Sequence, residues 1–304
     1  NMRPLVYPAD WLSRDQPPPL ADFGRRLLAE GDSWFTIGTL NLLAASNVLF
    51  KLEVSQTTAI VNCAYPGDTL QHMVEWFNDP YFDRLLSKKN FARYWEGILI
   101  SAGGNDLIDA AQVPPERKDG TPVPRHQRLL LTAEEAATSP GTGAERFISE
   151  AGWDNFVSYM LANFAELVAR RDLGPSKGRP IFLHTYATPT VRPSGTVGAP
   201  QGWLYPALLR YGLTGQAAQD VCDLLFGRLR AFLLALDESS GEPEAQPQVH
   251  VFDSAGLTTI QRADAQASGL SGHWVNEIHL SPDGYGELGV AFGPWMESHL
   301  ANYP

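Results

Sequence analysis

Five short apolar runs recur along the chain. Each is closed by turn residues and followed by a stretch of helical hydrophobic spacing, and no other feature constrains the fold as tightly. The runs lie at 27–30, 58–62, 97–101, 180–186 and 249–252. They are almost continuously hydrophobic, the pattern of strands buried on both faces. The helical stretches lie at 40–50, at Leu70, Met73, Val74 and Phe77 behind a cap at Asp68 or Thr69, and at 153–170, 221–236 and 284–300. Strand and helix in alternation predict an α/β fold with a central parallel five-stranded sheet covered by helices on both faces. No linker is visible, so residues 1–304 are expected to form a single domain.

Two segments break the alternation. Residues 108–146 carry Pro114, Pro115, Pro122 and Pro124, and residues 188–212 carry Pro189, Pro193, Pro200, Trp203, Tyr205 and Tyr211. Both follow carboxyl ends of strands, the edge at which open α/β sheets bind ligands, so both are expected to be insertions over a site. Residues 1–25, with Pro17-Pro18-Pro19, read as an extended lead-in.

Composition excludes several classes. Hydrophobic residues make up 44% and charged residues 19%, which is globular. The net charge of −11, with no Lys/Arg cluster, argues against nucleic acid and against anionic membranes. No apolar run reaches the ~18–20 residues that span a bilayer. Asn1-Met2-Arg3-Pro4 lacks the cationic-then-apolar pattern of an export signal, so a cytoplasmic protein starting at Met2 is expected, and a secreted one if a leader was removed. Cys63 and Cys222 have no metal-ligand spacing and are expected to be buried free thiols. Nothing in the sequence addresses oligomeric state.

Three turns close the first three runs: Gly31-Asp32-Ser33, Pro66-Gly67-Asp68 and Gly103-Gly104-Asn105-Asp106. In a parallel sheet these ends meet on one edge. By itself Gly-Asp-Ser is equally a helix cap or a site for a nucleophile. Near the other end of the chain, His279 lies in Asn276-Glu277-Ile278-His279. A hydroxyl, a free backbone N–H at a glycine, a side-chain amide and an imidazole are the parts that acyl transfer requires.

In their order along the chain these residues resemble the four blocks of the SGNH hydrolases, the GDSL-type esterase/lipase superfamily. Ser33 matches the first block, Gly67 the second, Asn105 the third and His279 the last. The resemblance spans residues 27–285 and leaves out the two insertions. It implies a three-layer flavodoxin-like fold and a serine hydrolase that cleaves carboxylic esters of small molecules through a Ser-His acyl-enzyme. Ser33, Gly67 and Asn105 would form the oxyanion hole, with no metal or organic cofactor. The Gly-x-Ser-x-Gly elbow of the rival α/β-hydrolase fold is missing, as are the glycine-rich loops of nucleotide binders.

The chain departs from the family at the position three before the histidine, where Asn276 stands in place of Asp. Three arrangements stay open: Asn276 as the third catalytic residue; a carboxylate from Glu277, Asp253 or Asp283; or a dyad oriented by a backbone carbonyl. Trp34, Trp203 and Tyr205 are candidates for lining the substrate site, with packing as the alternative for each. Asp32 is expected to buttress its turn, and His184 and His250 to be satisfied core or edge residues. An acyltransferase, or a silent relative that binds a carbohydrate or acyl ligand, is the remaining alternative.

Overall fold

A computed structural model describes residues 1–36, 46–74 and 80–304 of the chain. Six strands form one sheet: β1 (Leu5–Pro8), β2 (Arg25–Gly31), β3 (Thr58–Asn62), β4 (Gly97–Ser101), β5 (Ile181–His184) and β6 (Val249–Phe252). Their order is β1-β3-β2-β4-β5-β6, and every pairing is parallel. The switch in strand order falls between β2 and β4, where such sheets open a crevice beyond their carboxyl ends.

The expected five strands are thus corrected to six, the added one being Leu5–Pro8 inside the lead-in. As the terminal strand it pairs only with β3, so a proline and few residues suffice, and its apolar run, Leu5-Val6-Tyr7, is only three residues long.

The helices are α1 (Val48–Lys51), α2 (Leu70–Val74), α3 (Pro80–Ser87), α4 (Gly104–Ala111), α5 (Ala133–Ala137), α6 (Glu150–Arg171), α7 (Leu204–Arg210), α8 (Gly215–Ala235) and α9 (Pro282–Leu300). All four residues of β5 are buried, and neighbouring strand residues point to opposite faces, so both faces are covered. Phe182 and Phe252 lay their rings against Trp295 of α9 on one face. The other face is covered by α6 and α8, joined through Phe164 and Phe232. Of the helix expected at 40–50, residues 40–45 lie outside the described residues, as does Phe77 of the next; Val48–Lys51 is helical.

Both insertions carry ordered structure. In the first, Thr132 and Glu135 form a capping box at α5, and Arg128 holds Glu135 by two bonds of 2.6 and 2.7 Å. Those bonds pull the Glu135 carboxyl down to about 2. The second contains α7. Cys222 is a buried free thiol, whereas Cys63 is only half-buried, a correction to the expectation of burial for both. Among the described residues, no helix is long and apolar enough to cross a membrane.

Helix α9 approaches the main chain after α1 so closely that Gly289 and Gly293 alone fit the contact. A Cβ on Gly293 would lie 2.0 Å from the Glu53 carbonyl oxygen. Gly293→Ala is therefore expected to destabilise the protein by about 1–3 kcal/mol through overpacking, read from the midpoint of urea unfolding.

Candidate active site

Strand β2 runs to Gly31, and the chain then turns sharply. The Asp32 N–H continues the sheet by donating to the Ser101 carbonyl at 2.9 Å, while Phe35 and Thr36 fold back on the Asp32 and Ser33 carbonyls. Asp32 Oδ1 accepts the Trp34 N–H at 3.0 Å, and its other oxygen accepts the Tyr186 hydroxyl. Asp32 thus buttresses the turn from beneath, with Ser33 at its crest. Burial pushes the Asp32 carboxyl up to about 6.

The segment before α9 closes on this turn from the far end of the chain. Ser33 Oγ lies 2.7 Å from His279 Nε2, and His279 Nδ1 lies 3.0 Å from Asn276 Oδ1. The same Asn276 oxygen accepts the backbone N–H groups of Ile278 and His279 at 3.1 and 2.9 Å. An oxygen receiving two backbone donors is the amide's carbonyl, so Nδ1 must carry the imidazole proton. Nε2 is then bare and accepts the Ser33 hydroxyl. His279 is buried, which pulls its pKa down to about 4 and keeps it a neutral base.

None of the three alternative acids is bonded to this ring. Asp253 pairs with Arg230 and accepts the Thr185 hydroxyl. Asp283 is exposed in the first turn of α9. Glu277 points away from the imidazole and into the second insertion. Its carboxylate accepts the N–H groups of Trp203, Leu204, Tyr205 and Arg192, at 2.6 to 3.1 Å. Burial pushes that carboxyl up to about 7.

Gly67 and Asn105 come to the same edge. Tyr65 N–H donates to the Gly31 carbonyl, which ties the Gly67 loop to the Ser33 turn, and Asn105 Nδ2 donates to the Asp68 carbonyl at 3.2 Å on the other side of that loop. Asp106, buried, accepts the Leu70 N–H at the start of α2 with both oxygens at 3.1 Å. The second and third blocks are therefore clamped together by adjacent residues. The glycine pair before Asn105 has separate duties: Gly103 turns the chain at φ 111°, and a Cβ on Gly104 would strike the Tyr186 ring at 2.9 Å.

Trp34 is buried, donates from Nε1 to the Ile278 carbonyl at 3.1 Å, and packs against Tyr186, Trp274 and Tyr285. Trp203 meets His279 edge-on, with ring centroids 5.3 Å apart. Tyr205 is not brought to Ser33; it lines a separate cavity with Thr190 and Gln219. His273 accepts the Gln261 N–H and stays clear of the relay. Beside Ser33 lies a cavity of about 20 Å³, lined by Asn105, Ile108, Pro189, Phe226 and Trp274.

Sequence reading missed two features. One is the anchoring by Asp106 and Glu277, whose only signal is an acid directly after a site residue. The other is a second set of Ser, His and Asp: Asp32, Ser101 and His184. Here the acid meets the serine and not the histidine, and Ser101 is fully buried, so no substrate reaches it.

No family model matches this sequence, and no curated protein does. Among solved structures, the chain is similar to phospholipase A1 from Streptomyces albidoflavus, with 13% identity, 90% of this chain and 99% of that chain covered, and a TM-score of 0.44. It is also similar to the aryl esterase of M. smegmatis (12%, 90% and 99%, TM-score 0.42) and to a carbohydrate acetylesterase from Sinorhizobium meliloti (12%, 90% and 99%, TM-score 0.41). At these values the likeness bears on neither activity nor substrate.

Each Glu277 oxygen serves two backbone donors, so the amide of a glutamine turns an NH2 toward two of the four whichever way it lies. Glu277→Gln is expected to cost about 2–3 kcal/mol in urea unfolding.

Proposed function

We propose that the chain is a serine hydrolase of the SGNH type that cleaves carboxylic esters, with short acyl groups preferred. The relay from Ser33 Oγ through His279 to Asn276 Oδ1 is the observation that carries this reading. In it Ser33 attacks the ester carbonyl while His279 Nε2 takes the hydroxyl proton and then passes it to the departing alcohol. The negative charge that develops on the carbonyl oxygen is met by the Ser33 and Gly67 N–H groups and the Asn105 amide. Water, deprotonated by the same imidazole, resolves the acyl-enzyme and returns the proton to Ser33 on collapse.

Asn276 brings no charge to the imidazolium that forms, but it fixes the tautomer, since its oxygen accepts only from Nδ1–H. A neutral orienting group and a buried ring together give a weak base that remains available in acid. The proton must leave Ser33 for a neutral imidazole, so the pKa of about 4 keeps His279 competent well below the ordinary histidine range. The cavity of about 20 Å³ beside Ser33 supports a short acyl chain, because it holds about one methyl- or water-sized group.

A fluorophosphonate probe is expected to label the protein and to fail on Ser33→Ala; an unlabelled wild type would end the hydrolase reading. Against p-nitrophenyl esters, acetate is expected to exceed hexanoate by roughly 10-fold or more in kcat/KM. Asn105→Ala is expected to lower kcat by about 10²–10³-fold. The acid limb of kcat/KM is expected near pH 4, with activity lost as pH falls through it. Asn276→Asp, by stabilising the imidazolium, is expected to move that limb upward, while Asn276→Ala lowers kcat by roughly 10²–10⁴-fold through loss of ring orientation.

A further inference from the structure

Beneath the Ser33 turn stand three side chains that the proposed reaction does not use. Asp32 Oδ1 lies 2.7 Å from Ser101 Oγ, which lies 2.7 Å from His184 Nε2, and all three residues are buried. The other ring nitrogen, His184 Nδ1, lies 2.6 Å from the Thr185 carbonyl oxygen. A carbonyl oxygen only accepts, so Nδ1 carries a proton.

Two placements of the remaining protons then satisfy the row. In one, a protonated Asp32 carboxyl donates to Ser101 Oγ, and the Ser101 hydroxyl donates to a bare Nε2. In the other, both protons have moved one step: Ser101 donates to the Asp32 carboxylate and accepts from Nε2–H of an imidazolium. No proton is gained or lost, and the net charge of the row is zero in both. The remaining bonds to Asp32, from the Trp34 N–H and the Tyr186 hydroxyl, are donated to its oxygens in either state.

We propose that Asp32 and His184 share one proton through Ser101, which makes Asp32 a positioning residue that supports the nucleophile turn with no net charge beneath it. The positioning role rests on the reading of Ser33 as nucleophile. The surroundings favour neutrality. Tyr186 bonds Asp32 from the loop after β5, Tyr285 of α9 and Asp106 of α4 feel its charge, and His184 of β5 closes the row. Burial alone pushes the Asp32 carboxyl up and the His184 imidazole down to about 4, so each resists ionising by itself. Linked by Ser101, they titrate as a pair.

Nitrogen NMR of the histidine rings in the full chain tests the sharing, with His184→Gln used to assign the signal. The expected spectrum between about pH 5 and 8 shows Nδ1 of His184 protonated throughout and an Nε2 resonance that moves in Ser101→Ala. Kinetics give a second readout. Wild type is expected to show only the acid limb near 4, whereas Ser101→Ala leaves Asp32 to titrate alone, without the Ser101 bond that holds its carboxyl down, and adds a second limb at higher pH in kcat/KM. Tyr186→Phe removes the bond to Asp32 and a 3.3 Å contact with Ser101 Oγ but leaves both 2.7 Å contacts of the row in place, and is expected to add none. A bare Nδ1 over this range, the second limb already present in wild type, or an equal limb in Tyr186→Phe would overturn the sharing. The spectrum requires no turnover, so a protein without esterase activity fails the hydrolase reading while the sharing is still judged.

Discussion

Parallel pairing of every strand is the constraint on which the rest depends. It sends the carboxyl ends of β2, β3 and β4 to one edge, in register and about 5 Å from strand to strand. Three turns distant in sequence thereby become neighbours without any long-range contact being designed for each. The histidine segment then needs only to reach that edge, which the start of α9 does. Had β3 or β4 run antiparallel, Gly67 or Asn105 would lie at the opposite end of the sheet from Ser33.

Crowding groups at that edge removes water from several acids, and the structure offsets the cost in a common way. Asp106 and Glu277 are buried with no cation in hydrogen-bond contact among the described residues; Asp106 accepts the Leu70 N–H at the start of α2, and Glu277 those of Leu204 and Tyr205 at the start of α7. Desolvation still prevails, since Asp106 and Glu277 are both pushed up to about 7. These acids act as struts between loops. Their negative charge is a liability that the fold tolerates for the sake of geometry, whereas Glu135, bonded to Arg128 nearer the surface, is pushed the other way.

Much of this was legible in the sequence, and the reasons differ by element. Strands β2 to β6 announce themselves because burial on both faces demands unbroken apolar residues, while Leu5–Pro8, paired on one side, makes no such demand. Ser33, Gly67, Asn105 and His279 were singled out by their order along the chain, which resembles the four family blocks, and the structure places Ser33 Oγ 2.7 Å from His279 Nε2. The tie from Asn276 Oδ1 to the imidazole was one of three open arrangements, since spacing puts an acceptor within reach without saying which residue turns toward the ring. His184 was expected as a satisfied core residue, but its link to Ser101 was not legible, because a serine at a strand end and a histidine in an apolar run are ordinary there. Tyr205, an aromatic in the second insertion, lines a cavity other than the one beside Ser33.

Asn276 and Glu277 are consecutive, yet one orients the imidazole and the other seats the loop that carries Trp203 over it. A single peptide unit therefore joins the residue that seats the Trp203 loop to the residue that holds the ring. It follows that the second insertion is not an exchangeable part. A replacement loop of any length would have to present the same converging N–H groups to Glu277, or the His279 ring would lose the Trp203 contact and the carboxylate its partners.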